Sequence, residues 1–275
     1  MGTPMTATGP SGTTAWSEAA ILEHLRRGGP TVVALSGGVD SALVALLAYR
    51  ALGEEAVAAT LTGPSLAREE LESARGVVRE IGISHVELPV DPLLLPQYRS
   101  NPSNRCYFCR SVETKELRRW GDARGFRQYL DGVHLDDLGE DRPGLKAMDE
   151  AGFRHPLVVA GWGKAEVRHA ARSAGLSNWE RPSNACLASR VTHGEELSPE
   201  LLRRIELSEE LVRSFGFRRV RVRVRGEECR VEVDGSEVGR WLDASLGAEV
   251  VAGLTRLGFR QVTLDPVGYR PRRGA

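Results

Sequence analysis

Thr31-Val-Val-Ala-Leu-Ser-Gly-Gly-Val-Asp-Ser41, which runs directly into Ala42-Leu-Val-Ala-Leu-Leu-Ala48, is the stretch that decides the fold of this chain. Residues 31–35 are apolar and mostly β-branched and follow Gly-Gly-Pro, so they predict a buried strand. Residues 42–52 are rich in helix formers and stop at a glycine, so they predict a helix. The chain is therefore expected to pass from strand to helix through a short glycine turn.

That turn predicts an anion site. Its two glycines, Gly37 and Gly38, let the backbone approach a phosphate at the positive end of the helix dipole. Ser36 and Ser41 can donate hydrogen bonds to phosphate oxygens, and Asp40 can hold a divalent cation. The alternative is an ordinary glycine turn between a core strand and a core helix.

The sequence pattern of the turn, S-G-G-x-D-S, distinguishes it from two common phosphate-binding loops. No lysine follows the glycines as in G-x-x-x-x-G-K-[ST], and the spacing is not G-x-G-x-x-G. It resembles the PP-loop of the ATP pyrophosphatase superfamily, whose members cut ATP between the α and β phosphates, adenylate a substrate oxygen and hold the pyrophosphate in this loop. The resemblance implies that residues 36–41, Val39 included, bind ATP and pyrophosphate.

Composition limits the classes of partner. Lys+Arg and Asp+Glu both total 37, so the formal net charge is zero and nothing attracts the chain in bulk to nucleic acid or to an anionic membrane. No apolar run is long enough to span a bilayer. Residues 1–14 are expected to be a disordered lead-in and not a signal peptide. Four cysteines without an export signal indicate reduced thiols and a cytoplasmic protein.

The pattern along the chain alternates between strands and helices. After the first unit, residues 56–61, 84–90, 128–130 and 153–158 are predicted as strands, with helices at 66–81 and 163–174. This order is typical of an α/β fold with a doubly wound parallel sheet, in which ligands bind beyond the carboxyl ends of the strands.

A polar stretch follows the fourth predicted strand, from Asp131 to Gly144. Asp131, Asp136 and Asp137 could hold Mg²⁺, and Arg142 could meet a phosphate. The alternative is a polar surface loop.

The composition changes near residues 191–197, and a small α+β domain is expected beyond. Ser198-Pro-Glu200 predicts the start of a helix that runs to about residue 215. Residues 217–225 and 230–233 alternate and predict a hairpin, followed by helical material at 237–257 and a strand at 260–264. The predicted domains are therefore residues 15–192 and 193–275.

One face of the predicted hairpin carries a row of arginines, at positions 219, 221, 223 and 225. The row is either a solvated face that protects a sheet edge or a site for an anionic substrate. RNA binding is poorly supported, because no aromatic residues lie between the arginines.

The cysteines allow several chemistries. Cys106 and Cys109 form C-x-x-C at a predicted helix start, which suits metal or redox work. No further ligands follow at zinc-ribbon spacing, and the position does not match a thioredoxin-type dithiol. With the remote Cys186, the pair could hold a [4Fe–4S] cluster with one iron open to a ligand. Cys229 lies in a predicted strand and is interpreted as a core residue.

Taken together, these features resemble the LarE-type ATP-dependent sulfur transferases, a family within the PP-loop ATP pyrophosphatase (adenine nucleotide alpha hydrolase-like) superfamily. The resemblance covers roughly residues 16–270. It depends on the PP-loop, Asn104-Arg-Cys-Tyr-Phe-Cys109, Asp131-Gly, Ala185-Cys-Leu-Ala-Ser-Arg190, Arg221-Val-Arg223 and the closing Gly268-Tyr-Arg270.

The resemblance implies a reaction. A carboxylate of pyridinium-3,5-biscarboxylic acid mononucleotide is adenylated by ATP with Mg²⁺, and a sulfur nucleophile displaces AMP to leave a thiocarboxylate for a nickel-pincer nucleotide cofactor, the cofactor of lactate racemase. In members with a single cysteine, the residue at position 186 gives up its own sulfur. Three cysteines match the subgroup that binds a [4Fe–4S] cluster carrying an exchangeable sulfide, so the resemblance implies a cluster and multiple turnovers.

The resemblance also implies roles for particular residues and partners. Cys186 and Asp40 are expected to be catalytic, and Cys106, Cys109 and Cys186 to hold the cluster. The residues expected to bind ATP and pyrophosphate are Ser36, Gly37, Gly38, Val39, Asp40, Ser41, Asp131, Gly132 and Arg142. Those expected to bind the substrate phosphate are Arg221, Arg223 and Arg270. Mg²⁺ is expected to bind to Asp40, Asp137 and Glu209 or Glu210. A sulfide source, downstream nickel-insertion and nickel-enzyme proteins and a homo-oligomeric state are the expected partners.

Two other functions are considered. A tRNA thiolase of the same superfamily is disfavoured by the neutral charge and by the lack of a zinc-ribbon or RNA-binding extension. A non-catalytic nucleotide- or metal-binding regulator would bind ATP without releasing pyrophosphate, and the many acids near the predicted site argue against it.

Overall fold

A computed structural model describes residues 16–139 and 142–270, so the lead-in predicted at 1–14 lies outside the described residues. The backbone divides into two compact units. The first consists of Met1–Gly63, so far as it is described, with Arg68–Pro92 and Cys106–Asn184. The second consists of Pro64–Ala67, Leu93–Arg105 and the described part of Ala185–Ala275.

The first unit contains a sheet of four parallel strands in the order β3-β2-β1-β4. Its strands are β1 (Thr31–Ala34), β2 (Ala56–Thr62), β3 (Ser84–Pro89) and β4 (Gln128–Leu130). The register pairs Val33 of β1 with Ala58 of β2 and with Leu130 of β4. Because β1 has β2 on one side and β4 on the other, the strand order reverses at the carboxyl end of β1.

Within residues 16–139 and 142–270, eight α-helices come before the strands of the second sheet along the chain. They are α1 (Glu18–Gly28), α2 (Val39–Leu52), α3 (Arg68–Ile81), α4 (Pro96–Arg99), α5 (Arg105–Asp122), α6 (Pro143–Glu150), α7 (Pro156–Val159) and α8 (Lys164–Ser173). Of these, α4 belongs to the second unit.

Side chains on both faces of the sheet are buried, which confirms the doubly wound prediction. Val33 packs in one core with apolar residues of α1, α2, α3 and α8, whereas its neighbour Val32 packs in a second core with Leu117 of α5 and Met148 of α6. Successive strand residues point to opposite faces, so a strand covered on both sides is apolar on both, as Val32 and Val33 of β1 show.

The fifth strand predicted at 153–158 is wrong. Arg154 makes an isolated bridge to Leu130, but Pro156 then opens the short helix α7. A proline has no N–H for a strand ladder and suits the first position of a helix, so the apolar run after it folds as a helical turn.

The second unit contains a three-stranded sheet in the order β5-β6-β7. Its strands are β5 (Arg221–Arg225), β6 (Glu228–Glu232) and β7 (Gln261–Leu264), and its further helices are α9 (Pro199–Ser214), α10 (Val238–Trp241) and α11 (Ala244–Arg256). Strands β5 and β6 form the predicted antiparallel hairpin, and β7 is parallel to β6. A smaller α+β domain is thus present in the C-terminal part.

The helical material predicted at 237–257 is present and consists of two helices, α10 and α11. The carboxylate of Asp243 accepts hydrogen bonds from the N–H groups of Ser245 and Leu246, which starts α11 afresh after α10. A side-chain oxygen at this position satisfies amides that a new helix leaves free, so the chain can change direction there.

Within the two described ranges, every helix is too short or too polar to cross a lipid bilayer.

Candidate functional site

The glycine turn lies at the carboxyl end of β1, where the strand order reverses, and leads into α2. Gly38 is the N-cap residue of α2, and its carbonyl accepts a hydrogen bond from Ala42 N at 3.0 Å. The hydroxyls of Ser36 and Ser41 lie 3.1 Å apart, and Ser41 Oγ accepts from Ser36 N at 3.2 Å. The turn therefore groups two hydroxyls with the free amides of a helix N-terminus, which is a favourable site for a phosphate.

Gly37 has a conformation and surroundings that exclude a side chain. Its φ is +83°, and a Cβ there would lie 2.6 Å from the carbonyl oxygen of Glu70. Its own carbonyl accepts hydrogen bonds from Ser73 Oγ at 2.8 Å and Asn178 Nδ2 at 3.2 Å. The turn is thus held from behind by α3 and by the segment after α8, which leaves its amides fixed in position.

A buried ion pair strengthens this support. Arg181 Nη1 and Nη2 donate to the two carboxylate oxygens of Glu70 at 2.7 and 2.8 Å, and Asn184 Nδ2 donates to the same carboxylate at 2.6 Å. Glu70 is only 8% exposed. Neither Glu70 nor Arg181 was singled out from the sequence, because they lie 111 residues apart and carry no motif.

The segment after β4 approaches the start of α2 closely. A Cβ on Gly132 would lie 2.5 Å from Ser41 N and 2.8 Å from the carbonyl carbon of Asp40. Only a glycine fits at such a distance. The structure therefore brings the predicted Asp131-Gly132 pair against the PP-loop, as expected for neighbours at a reversal of strand order.

Asp40 is paired with a lysine that the sequence analysis missed. Lys164 Nζ donates to both carboxylate oxygens of Asp40, at 2.8 and 2.7 Å. His134 Nε2 lies 3.9 Å from Asp40 Oδ1, and His134 is 3% exposed. The only sequence signals were a glycine before Lys164 at a predicted helix start and a polar stretch around His134.

Asp137 and Arg142, predicted to bind Mg²⁺ and phosphate respectively, contact each other. Arg142 Nη1 lies 2.6 Å from Asp137 Oδ1, and Asp137 Oδ2 accepts from the backbone N–H of His134 at 3.1 Å. The third acid of the stretch, Asp136, accepts from Lys164 N at 2.7 Å. These acids order the polar stretch and the start of α8.

His155 links the carboxylates of Asp131 and Asp149. Its Nδ1 donates to Asp131 Oδ1 at 2.8 Å, and its Nε2 donates to Asp149 Oδ1 at 2.7 Å. Burial lowers the pKa of His155, but the hydrogen bonds and charges of Asp131 and Asp149 outweigh it and raise that pKa to about 9. Asp131 Oδ2 is buried and makes no hydrogen bond to any described residue.

Cys106 and Cys109 lie at the start of α5, as predicted. Cys106 is exposed, Cys109 is half-buried, and neither is in a disulfide. Arg110 lies beside them, and the charges of Glu113 and, to a smaller extent, of the two cysteines raise its pKa. The C-x-x-C pair therefore has a permanently charged guanidinium next to it.

Cys186 belongs to the second unit, where a buried arginine organises its loop. The thiol is exposed at the start of a 3₁₀ turn, Leu187–Arg190. Arg190, 2% exposed, donates to the carbonyls of Ala185 at 2.6 Å and Cys186 at 3.2 Å. Its other nitrogens donate to Glu209 at 2.8 and 3.2 Å. Glu209 also accepts from Val222 N at 3.1 Å, so this predicted metal ligand is engaged inside the unit.

The predicted phosphate-binding arginines differ in their surroundings. Arg221 is 7% exposed, and its guanidinium lies 5.1 Å from the ring centre of Tyr269. Burial, followed by the charge of Arg190, lowers its pKa. Arg223 donates to Glu232 at 3.1 Å and to Ser189 O at 3.1 Å, while Arg270 is exposed and lies 3.8 Å from Asp265. The arginine row is thus only partly a solvated face.

Across the part of the chain that the structure describes, three or more His, Cys, Asp or Glu side chains nowhere lie together in an arrangement that could hold a metal ion.

Cys229 is 2% exposed, and burial raises its pKa to about 12, in agreement with a core role.

Comparisons with known proteins extend this picture. The family model of NAD synthase matches residues 22–104, which contain the PP-loop. An uncharacterised protein of Synechocystis sp. is 42% identical over 87% of this chain and 89% of its own length. The pyridinium-3,5-bisthiocarboxylic acid mononucleotide synthase of Lactiplantibacillus plantarum is 33% identical over 92% of this chain and 91% of its own length. An NH(3)-dependent NAD(+) synthetase of Pelodictyon phaeoclathratiforme is 36% identical, over only 32% of this chain and 33% of its own.

Proposed function

The chain belongs to the LarE family, that of the Lactiplantibacillus plantarum pyridinium-3,5-bisthiocarboxylic acid mononucleotide synthase, and on this premise we propose that it is an ATP-dependent sulfur transferase of nickel-pincer nucleotide biosynthesis. Its substrate is pyridinium-3,5-biscarboxylic acid mononucleotide, and its product carries a thiocarboxylate. The observation that carries the proposal is the Ser-Gly-Gly turn with Asp40 at the reversal of strand order, in a chain that aligns with this relative along most of its length.

The first step is activation of a carboxylate. A free carboxylate is a poor electrophile, so one of its oxygens attacks the α-phosphorus of ATP and pyrophosphate leaves. The hydroxyls of Ser36 and Ser41 and the amides at the start of α2 hold the departing phosphates. Val39, Asp131, Gly132 and Arg142 complete the proposed ATP and pyrophosphate site.

A divalent cation fits at Asp40. The ammonium of Lys164 already occupies both carboxylate oxygens, which indicates that this position favours a cation. Mg²⁺ commonly takes one or two carboxylates and completes its shell with substrate phosphates and water, so no preformed cage of acids is required. Asp137 and Glu209 or Glu210 stay proposed further ligands.

The second step delivers sulfur and releases AMP. We assign Cys106, Cys109 and Cys186 as ligands of a [4Fe–4S] cluster, which when bound supplies an exchangeable sulfide. The donor set suits such a cluster, because its three thiols are outside disulfides and two are exposed. Arg190 fixes the backbone that carries Cys186, and Arg221, Arg223 and Arg270 bind the substrate phosphate.

The remaining parts of the proposal concern organisation. The proposed functional domains are residues 15–192 for ATP pyrophosphatase chemistry and residues 193–275 for sulfur transfer and substrate binding, although Ala185–Arg190, with Cys186, belong to the second compact unit. A sulfide source, downstream nickel-insertion and nickel-enzyme proteins and a homo-oligomeric assembly are the proposed partners.

The reaction is tested by measuring AMP, pyrophosphate and thiocarboxylate after incubation with ATP, Mg²⁺, sulfide and the pyridinium substrate. AMP and pyrophosphate are expected to form only when that substrate is present. Asp40→Asn is expected to slow pyrophosphate release by roughly a hundredfold or more, because it removes the charge that holds the cation. Glu54→Gln, at an exposed acid beyond the end of α2, is the matched control and is expected to react at the normal rate.

Formation of pyrophosphate with tRNA and not with the pyridinium substrate would contradict the proposed function. So would ATP binding without any pyrophosphate release.

A further inference from the structure

The ion pair between Lys164 and Asp40 is well sheltered for a pair at a predicted nucleotide site. The lysine ammonium donates to both oxygens of the carboxylate at 2.8 and 2.7 Å, and the two side chains are only 20% and 24% exposed. The residues are 124 positions apart in the sequence. A bidentate contact of this kind neutralises the carboxylate before any nucleotide arrives.

The backbone of Lys164 is held in place by hydrogen bonds, whereas its ammonium is held only through the flexible side chain. Lys164 is the first residue of α8, and its N–H donates to Asp136 Oδ2 at 2.7 Å. The preceding Gly163 donates to Glu166 Oε2 at 3.0 Å, which caps the same helix end. A lysine side chain has a flexible stem of four carbons, so its ammonium can shift by several ångströms without movement of α8.

Among the described residues, Lys164 is the lysine or arginine that pairs with Asp40. His134 Nε2 lies 3.9 Å from Asp40 Oδ1, beyond hydrogen-bond distance, and 3.6 Å from Asp137 Oδ2. Ser36 and Ser41 are neutral. The ammonium of Lys164 is therefore the cation with which any metal ion at Asp40 has to compete.

The two cations compete for the same carboxylate. Mg²⁺ binds carboxylate oxygens at about 2.0–2.1 Å, so a Mg²⁺ on Asp40 would lie close to an ammonium that contacts both oxygens. At a site sheltered from solvent, the repulsion between a divalent ion and an ammonium is weakly screened. Metal binding at Asp40 is therefore opposed for as long as the lysine stays on the carboxylate.

We propose that Lys164 is a displaceable counter-ion of Asp40 that keeps divalent cations away from this carboxylate until nucleotide phosphates arrive. The phosphates then attract the ammonium, and the cation that accompanies the nucleotide takes its place on Asp40. This inference deepens the proposed function and rests on it for the identity of the nucleotide. Its consequence is an order of binding, because the metal enters with the nucleotide and free metal does not occupy the site.

The test uses Mn²⁺ alone, without nucleotide, as a paramagnetic probe on the full-length protein. Lys164→Met keeps the length of the side chain and removes the charge, and Lys115→Met is the matched control on the exposed surface of α5. Lys164→Met is expected to bind one Mn²⁺ at least tenfold more tightly than the unmodified protein. Lys115→Met is expected to match the unmodified protein, and a Lys164→Met, Asp40→Asn double variant is expected to lose the gain.

A damaged fold would weaken Mn²⁺ binding, so a gain in affinity separates the counter-ion role from a purely structural one. Lys164→Met binding Mn²⁺ within twofold of the unmodified protein would overturn the inference, as would a gain that persists in the double variant. Pyrophosphate release by the unmodified protein is measured separately. If the unmodified protein releases pyrophosphate while Lys164→Met shows no gain, the counter-ion role fails and the proposed function stands.

Discussion

At the scale of single residues, Arg190 is the main support of the loop around Cys186, a role that the sequence did not reveal. Its guanidinium donates to two backbone carbonyls of the loop and to the carboxylate of Glu209, and both charged side chains are almost fully buried. A buried charge is tolerated only when its partner and hydrogen bonds remain in place.

Replacement of Arg190 by methionine is expected to lower the free energy of unfolding by about 3–5 kcal/mol, because Glu209 is left buried without its main partner. Arg213→Met is the matched control. Arg213 lies 3.7 Å from the same carboxylate but is 26% exposed, so its loss is expected to cost about 1 kcal/mol or less. Urea denaturation measures both, and equal losses would contradict the role given to Arg190.

His155 predicts a pH dependence of stability. Its pKa rises from 6.5 to about 9 on folding, so the folded state binds the proton more tightly than the unfolded state. This contribution is complete below pH 6.5, falls as the pH rises and is lost above about pH 9; it amounts to about 3 kcal/mol.

His155→Gln is therefore expected to flatten the fall in stability between these two pH values, measured by urea unfolding across the range. His169→Gln, at an exposed position on α8, is the control and is expected to leave the profile unchanged. A profile for His155→Gln as steep as that of the unmodified protein would exclude the ion-pair account.

The sequence indicated the residues around the PP-loop that are neighbours in the chain, and it missed those that meet this loop through the fold. Residues 36–41 carry their own pattern, and the structure brings Asp131-Gly132 to them as the strand order requires. Lys164, Glu70 and Arg181 were missed, because each acts on a partner more than 100 residues away and none belongs to a motif.

At the scale of elements, the approach of the β4 loop to α2 sets the shape of the site. Gly132 has the backbone of Asp40 and Ser41 within 3 Å of where a Cβ would be, so a side chain would push these two elements apart.

Gly132→Ala is expected to reduce stability by about 1–3 kcal/mol and to weaken ATP binding, because the start of α2 moves. Gly139→Ala is the matched control in the same polar stretch, where a Cβ meets nothing within 4 Å. Thermal unfolding and ATP titration measure the two effects, and normal ATP binding by Gly132→Ala would contradict this account of the site.

Helices and strands could be predicted from the periodicity of apolar residues wherever the local sequence was consistent with only one type of secondary structure. Strands β1 to β4 and the hairpin of β5 and β6 agree with the predictions to within a few residues. An error occurs where local signals conflict, because residues 153–158 have the apolar character of a strand but contain Pro156. The helical material predicted at 237–257 is present, and the capping carboxylate of Asp243 divides it into α10 and α11.

At the scale of the whole molecule, the proposed chemistry is divided between the two units. The first contains the PP-loop, Asp40 and the C-x-x-C pair, and the second contains Cys186 and the arginines proposed to bind the substrate phosphate. The alignment with the Lactiplantibacillus plantarum synthase extends over 92% of the chain, so it includes both units. The match to the NAD synthase family model, in contrast, ends at residue 104, before either cysteine motif.

We propose that this chain transfers sulfur repeatedly without consuming itself. The most direct test is the intact mass of anoxically purified and cluster-reconstituted protein after reaction with ATP, Mg²⁺, sulfide and pyridinium-3,5-biscarboxylic acid mononucleotide, with the thiocarboxylate counted per chain. An unchanged mass with several thiocarboxylates per chain is the predicted result. A chain lighter by one H₂S, with at most one sulfur delivered, would contradict it and would mean that Cys186 itself is the sulfur donor.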